Sequence, residues 1–319
     1  KLNLLDNASR NFVGKFTHIE GDINDLKLIN KLVRDIKPDI VFHLAAETIV
    51  RKSYSNPIKT WQTNVMGTLS LLESLKQLYH YCAVILITSD KVYQNKNITY
   101  AYCEDDTLGG IDPYSSSKAA MELLVSSWKK SYCGMNRHQS NNLSIATVRA
   151  GNVIGGGDWA EDRLVPDMIK SLQRGEVINI RNPDSTRAWF HVLEPLSGYL
   201  QLAKQMYLHH INKTLKSESL YTQPFNFGPD INSNKKVREL VESILDLWPG
   251  KWNHVVDKNA PEEAILLNLS SDKAFQILDW RSRWNFQQTV NYTVNWYKKN
   301  QTLDALTCCL HDLNAYNNL

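Results

Sequence analysis

Three short, unbroken apolar runs mark the first half of the chain: Ile40-Val41-Phe42-His43-Leu44, Ala83-Val84-Ile85-Leu86-Ile87 and Ile145-Ala146-Thr147-Val148. Each is continuous rather than alternating, the pattern of a strand covered on both faces in a parallel sheet. Between the runs the period becomes helical. From Ile23, apolar side chains recur at Leu26, Ile29, Leu32, Val33 and Ile36 and share one helix face. Pro57 opens a second helix to about Leu78 and Pro113 a third to about Tyr132, proline being favoured at the first helical position. Strand and helix in alternation predict right-handed βαβ units, hence an α/β fold with a doubly wound parallel sheet. Ligands of such sheets lie beyond the carboxyl ends of the strands. The segments to inspect are therefore Leu44-Ala45-Ala46-Glu47, Thr88-Ser89-Asp90-Lys91 and Arg149-Ala150-Gly151-Asn152.

After about residue 155 the regularity loosens. Gly155-Gly156-Gly157 and Asn182-Pro183-Asp184 read as loops. Helical patterns recur at 165–174, 191–207, 235–248, 270–278 and 286–299, and Phe225-Asn226-Phe227 reads as a late strand returning to the sheet.

Composition narrows the class. The 319 residues are 43% apolar and 22% charged, ordinary globular usage that excludes disordered and fibrous chains. No apolar run approaches the roughly 20 residues of a membrane helix. A net charge of +3, from 36 basic and 33 acidic residues, is too balanced to argue for nucleic acid or an anionic membrane. The five cysteines, Cys82, Cys103, Cys133, Cys308 and Cys309, form no CxxC pair, and their odd number argues against a disulfide framework. No metal site is expected, and no targeting segment is recognisable, so the expected location is the cytoplasm.

The candidate chemistry lies at the start of the third helix. Tyr114 and Lys118 are four residues apart and share a face. A tyrosine is a poor base at neutral pH, but a lysine cation within about 4–6 Å favours its phenolate. Ser89, ending the preceding strand, is placed to hydrogen-bond the same hydroxyl or a substrate oxygen. Serine, tyrosine and lysine in that order suit the removal of an alcohol proton during hydride transfer.

In this context Asp112-Pro-Tyr114-Ser-Ser-Ser-Lys118 resembles the extended, nucleotide-sugar-modifying branch of the short-chain dehydrogenase/reductases. Within that branch Thr88-Ser89-Asp90-Lys91-Val92-Tyr93 is similar to the CDP-glucose 4,6-dehydratases, where dTDP-glucose enzymes carry Asp-Glu and 4-epimerases usually lack the acid. So is the long stretch Arg149-Ala-Gly-Asn-Val-Ile-Gly-Gly-Gly-Asp-Trp-Ala-Glu-Asp-Arg163-Leu. Further matches are His43-Leu-Ala-Ala46, Asn64-Val-Met-Gly-Thr68, Ile180-Arg-Asn-Pro183, Trp189-Phe-His-Val-Leu-Glu-Pro-Leu-Ser-Gly198, Pro261-Glu-Glu-Ala264 and Asp279-Trp280.

The resemblance implies a Rossmann-type NAD-binding domain over 1–154 and a mainly substrate-binding domain over 155–319, with segments near 188–228 returning to the sheet. It implies NAD as cofactor, CDP-glucose as substrate and a homodimer or larger homo-oligomer built on the helices near 57–78 and 113–132. Tyr114 would take the C4 hydroxyl proton as hydride passes to NAD. The new ketone acidifies C5, whose proton Lys91 would remove, an amine being able to act as a base once desolvation disfavours its charge. Asp90, kept protonated by burial, would protonate the departing C6 hydroxyl. Ser89 and Lys118 complete the catalytic set. Asp22, Ile23, Leu44, Ala45, Ala46, Glu47, Tyr114, Lys118 and Arg149 would contact the cofactor. Asn64, Asn152, Arg163 and Arg187 would contact the substrate, the two asparagines supporting backbone as well or serving a purely structural role, and the two arginines because a guanidinium fork matches diphosphate oxygens. Trp159 and Trp189 suit stacking on a base or sugar and core packing equally, and His191 reads as a packing or hydrogen-bonded residue rather than a catalyst.

Two departures stand against the resemblance. Glu47 replaces a common glutamine and adds negative charge near phosphates, unfavourable unless a basic residue answers it. The opening strand and its G-x-x-G-x-x-G turn are not found, so the first β-α-β unit, on the order of 40 residues, is expected to be missing. A chain lacking it would leave a sheet edge unpaired and bind NAD weakly, or be a non-catalytic relative.

Overall fold

The computed structural model describes residues 16–133, 142–212, 218–256 and 266–318; the Pro261-Glu-Glu-Ala264 motif lies outside them. Its centre is a parallel sheet of four strands: β1 (Ile40–His43), β2 (Cys82–Ile87), β3 (Leu143–Arg149) and β4 (Phe225–Asn226), side by side in that order. Ile40 pairs with Ala83, Cys82 with Leu143 and Val148 with Phe225. The three continuous apolar runs are thus the first three strands, and Phe225-Asn226 does return to the sheet.

Alternate residues of each strand feed opposite layers. Val84, Leu86 and Ile145 pack against Val33 of α1 (Leu26–Ile36), Leu71, Leu72 and Leu75 of α2 (Gly67–Leu75), and Met121, Val125 and Trp128 of α3 (Pro113–Tyr132). Ala83, Ile85, Ala146 and Val148 face the other way, onto Tyr199, Leu202 and Met206 of α4 (Leu193–Ile211) and onto Ala274 and Leu278. A third core joins Ile169, Ile180, Leu240, Ile244, Val290, Val294 and Trp296 beyond the strand ends. β3 is buried throughout, whereas β1 runs from an exposed Ile40 to a buried His43. Among the described residues β1 pairs only with β2, so its outer edge is open.

The helix expected from Pro57 to Leu78 is not continuous. It comprises Pro57–Trp61, a π-helical segment Gln62–Met66 and α2. The interruption coincides with Asn64, fully buried, whose Oδ1 accepts from the Glu47 amide at 2.8 Å. Its Nδ2 donates to the Glu47 carbonyl at 3.0 Å and to Ser117 Oγ at 2.9 Å. A π-bulge inserts one residue into the turn, as frequently seen at functional sites. Besides the single turn Glu218–Tyr221, two helices of the described residues have no sequence signal: Val50–Ser55 and Ala305–Asn317. The latter is anchored by Tyr316, whose hydroxyl donates to Glu194 Oε2 at 2.8 Å, and by Cys309, whose sulfur lies 3.4 Å from Trp296 Nε1. Cys308 is buried beside it, and no metal-holding cluster occurs among the described residues. No helix of the described residues is long and apolar enough to cross a membrane.

Candidate active site

The pairing of β2 with β3 runs past the strands themselves. Thr88 donates its amide to the Val148 carbonyl at 2.9 Å and Asp90 to the Ala150 carbonyl at 3.1 Å. This brings the Ser89-Asp90-Lys91 segment alongside Ala150-Gly151-Asn152. Ser89 then caps a single 3₁₀ turn, Asp90–Val92, its Oγ accepting from the Lys91 amide at 3.1 Å. The same Oγ donates to Asp90 Oδ1 at 2.9 Å and hydrogen-bonds the Tyr114 hydroxyl.

Tyr114 is fixed by the start of α3. Asp112 caps the helix, its Oδ1 accepting from Ser115 N at 2.9 Å while Ser115 Oγ accepts from Asp112 N at 3.1 Å. This reciprocal capping box leaves Pro113 and Tyr114 in the first turn. Gly110 lets the preceding loop lie against that turn: a Cβ there would be 2.3 Å from the Ser115 carbonyl carbon.

Electrostatics here differ from the expectation. Burial, with Asp90 adding to it, pushes Tyr114 up to about 12. Its hydroxyl is thus a phenol at neutral pH. Lys118, one turn on, donates to the Ile87 carbonyl at 2.9 Å, and burial lowers its pKa to about 8. Its ammonium is held by a carbonyl rather than by the phenol. Burial also raises Asp90, against the opposing pull of Lys91, Ser89 and Arg187. That is the sign needed for a proton donor.

These groups open onto a cleft of about 580 Å³ lined by Ser89, Asp90, Lys91, Tyr114, Asn152, Arg163 and Arg187 among others. Asn152 takes a left-handed backbone, φ 49°, which asparagine tolerates better than most residues. Arg163, the residue before the helix Leu164–Arg174, spans the cleft. It donates to Thr48 Oγ1 at 3.0 Å and meets Asp158 Oδ2 at 3.4 Å. Arg187 lies on the short strand Thr186–Ala188 and acts electrostatically on Asp90. Trp189 lines the same wall, its Nε1 tied to the Lys235 carbonyl at 3.1 Å. Two arginines that sequence reasoning missed also face the cleft, Arg51 and Arg181. Arg181 was readable from the Ile180-Arg-Asn-Pro183 motif; Arg51 sits on the unforeseen helix Val50–Ser55.

Two expectations need correction. Arg149 does not face the cleft: its guanidinium, 2% exposed, is spent on Glu122, Tyr93 and the Glu104 carbonyl. Asn64 is not at the substrate either, because its amide is consumed holding the Glu47 backbone and Ser117. Of the two readings open for Trp159 the structure shows packing: it lies against the core, edge-on to Tyr297 at 5.1 Å. His191 is buried, edge-on to Trp284 at 4.7 Å, and its Nδ1 accepts from the Leu193 amide at 3.3 Å.

A separate, open surface lies beyond β1. Leu44 and Ala45 are exposed, and Ala46 and Glu47 half-buried. Asp22 is exposed, its Oδ1 accepting from the Asn24 amide at 2.9 Å, a bond that holds the carboxyl below its usual range. Ile23 packs over Gly67, where a Cβ would be 2.8 Å away. The charge of Glu47 is answered: Lys59 Nζ lies 2.8 Å from its Oε1.

The family described as GDP-mannose 4,6 dehydratase matches residues 2–293. The CDP-glucose 4,6-dehydratase of Salmonella typhimurium is 41% identical over 302 residues, covering 94% of this chain and 82% of the relative. The dTDP-glucose 4,6-dehydratase of Haemophilus influenzae is 28% identical, with 88% and 82% covered. Among solved structures, a dTDP-glucose 4,6-dehydratase double mutant from Streptomyces venezuelae, with NAD and DAU bound, superposes with a TM-score of 0.74 at 21% identity, covering 94% of this chain and 84% of its own. A UDP-glucuronic acid 4-epimerase from Bacillus cereus, in complex with UDP-glucuronic acid and NAD, does so with 0.74 at 20% identity, covering 92% and 85%. Fold alone therefore does not separate dehydration from epimerisation. With residues 2–293 matched to one family, and 41% identity to a relative of which it spans 82%, the chain belongs to the GDP-mannose 4,6-dehydratase family, the nucleotide-sugar 4,6-dehydratases.

Proposed function

We propose that this chain removes water from CDP-glucose, giving CDP-4-keto-6-deoxyglucose. The observation that carries the reading is the Asp90 carboxyl, buried beside Ser89, Lys91 and Tyr114 at the mouth of an arginine-lined cleft. A 4-epimerase has no use for a protonated acid at C6. Identity of 41% to a CDP-glucose enzyme supports the choice of nucleotide.

The residues fit NAD at its two ends. Asp22, Ile23 and Leu44 to Glu47 offer an exposed surface beyond β1 for the adenosine side. Tyr114 and Lys118 stand at the nicotinamide side, and the Lys59–Glu47 pair offsets the one charge that would oppose a pyrophosphate. NAD, when bound, supplies the hydride acceptor and donor; the chain's own residues move the protons. Tyr114 accepts the C4 hydroxyl proton as its phenolate, having released its own proton to solvent once the Lys118 ammonium is brought within reach, and Ser89 hydrogen-bonds the same oxygen. Lys91 takes the C5 proton, and Asp90 gives its proton to the leaving C6 hydroxyl. Arg163 and Arg187 hold the diphosphate, Arg163 exchanging Thr48 and Asp158 for phosphate oxygens, while Asn152 orients the sugar. Sheet and C-terminal elements divide this work as a cofactor domain over 1–154 and a mainly substrate-binding domain over 155–319.

Mass spectrometry of CDP-glucose incubated with the chain and NAD tests the reading. The expected product is lighter by one water, and in D₂O it carries one carbon-bound deuterium at C5, delivered by an exchangeable base. An unchanged mass overturns the dehydration; stronger turnover of another nucleoside diphosphate glucose overturns the choice of cytidine.

The same reading includes a homodimer. Ile58, Trp61 and Met66, 71%, 41% and 51% exposed, form an apolar strip beside α3, on which Leu123 is 61% exposed. A second copy of this face covers both strips. Sedimentation at micromolar concentration is expected to give twice the monomer mass, falling to the monomer in Trp61→Glu; a monomeric parent chain refutes it.

A further inference from the structure

Gly151 has a negative φ or an extended one, so neither a left-handed turn nor strain accounts for a glycine there. What the position lacks is room. An ideal Cβ on Gly151 would stand 1.8 Å from Asp90 Oδ2, 2.1 Å from its Cγ and 2.7 Å from its Oδ1. The carboxyl of Asp90 thus occupies the space in which any other residue would carry its side chain. The backbone enforces the contact, since the Asp90 amide is bonded to the carbonyl of Ala150, the residue before. On the far side Ser89 Oγ holds Oδ1 at 2.9 Å. The carboxyl is clamped between a hydroxyl and a bare Cα, with Lys91, Arg187, Tyr114 and Tyr199 as its charged or titratable neighbours.

We propose that Gly151 is a positioning residue: its missing Cβ creates the slot that keeps the Asp90 carboxyl buried against the strand ends and presented as an acid. This rests on the role given to Asp90 above. With a methyl group at 151 the carboxyl has one direction left, outward into the cleft that Asp90 already lines. There water solvates the charged form and the group becomes an ordinary carboxylate at neutral pH. The effect on the reaction is loss of the proton donor, with cofactor and substrate contacts left in place.

The test is a titration of the unliganded full chain carrying side-chain ¹³C-labelled aspartate, with the Asp90 signal assigned by its absence in Asp90→Asn. In the parent chain Asp90 is expected to titrate above the ordinary aspartate midpoint of about 3.9. In Gly151→Ala the midpoint is expected to fall by about one pH unit or more, a tenfold or greater rise in the acid dissociation constant. An Asp90 midpoint unmoved by Gly151→Ala overturns the proposal. Should Gly151→Ala not fold, the pair Asp90→Ala/Gly151→Ala decides. With the carboxyl gone, the added methyl is expected to melt within a few degrees of Asp90→Ala alone; a pair that also fails to fold shows that the methyl clashes elsewhere and overturns it equally. Neither readout needs turnover, so a chain that leaves CDP-glucose unchanged refutes the dehydratase reading without touching this result.

Discussion

Replacing Glu122 by alanine is expected to destabilise the chain by about 3–5 kcal/mol, the range for breaking a buried ion pair from one side. Glu122 and Arg149 are 4% and 2% exposed and meet in a two-pronged pair, Nε to Oε1 at 2.9 Å and Nη2 to Oε2 at 3.0 Å. The carboxylate also accepts from Thr88 Oγ1 at 2.6 Å and Thr147 Oγ1 at 2.7 Å. Burial alone would raise the carboxyl, but the guanidinium and two hydroxyls override it and hold Glu122 below the usual range. Alanine leaves a guanidinium charge inside the protein and takes the acceptor from Thr147 Oγ1, while Thr88 Oγ1 keeps the Val148 carbonyl at 3.2 Å. The thermal midpoint is expected to drop by on the order of 10 °C for a chain of this size. A double change to Glu122→Leu with Arg149→Met is expected to cost less than Glu122→Ala alone, because no charge is then stranded. The pH dependence has a definite sign. The unfolded carboxyl binds its proton at higher pH than the native one, so the stabilisation is complete above about pH 5 and is lost as the pH falls through the native midpoint. Thermal melting of the three chains from about pH 7 down to about pH 2 reads all of this. A Glu122→Ala midpoint within 2–3 °C of the parent would mean that Arg149 finds another anion.

That network also shows which information lay in the chain order and which did not. The strands were legible because burial on both faces leaves an unbroken apolar run, and β3 is buried at every residue. Tyr114 and Lys118 were legible because a helix turns their spacing into a shared face, and Asp112-Pro113 marks where that helix starts. Arg149 was misread because a charged residue at the end of a strand suits a ligand as well as a core ion pair. Its partner stands 27 residues away on α3, and only the packing of α3 on the sheet joins them. Asn64 escaped for the same reason: its partners, Glu47 and Ser117, are 17 and 53 residues distant. Val50–Ser55 is six residues long, too short for a helical period to declare itself. The Ala305–Asn317 helix is held through Tyr316 by Glu194, 122 residues back. The slot at Gly151 is likewise a property of two strand ends meeting, which neither segment reveals alone.

On the proposed reading, changing Tyr114 to phenylalanine is expected to lower turnover of CDP-glucose by roughly two to four orders of magnitude, the usual contribution of a positioned acid or base. The ring is 8% exposed and stays where it is, so the change removes one oxygen and little packing. Nor does it strand a partner, because Ser89 Oγ keeps Asp90 Oδ1 and the Lys91 amide. Stability is therefore expected to move by less than about 1 kcal/mol, within the range of a net hydrogen bond. The unliganded geometry makes a further point about how the hydroxyl is activated. Tyr114 lies at about 12 and Lys118 at about 8, the lysine bonded to the Ile87 carbonyl rather than to the phenol. A phenol so high is seldom ionised at neutral pH, and the Lys118 ammonium that would favour its phenolate is held by a carbonyl, so substrate and cofactor must bring the two together for turnover to proceed. Lys118→Met is then expected to impair the oxidation step as severely as Tyr114→Phe, while Asp90→Asn spares it and blocks the loss of water. Absorbance of reduced cofactor at 340 nm separates the two: accumulation in Asp90→Asn, none in the other pair. A Tyr114→Phe chain that retains turnover within tenfold of the parent places the C4 base elsewhere, with Lys91 the next group along the same wall.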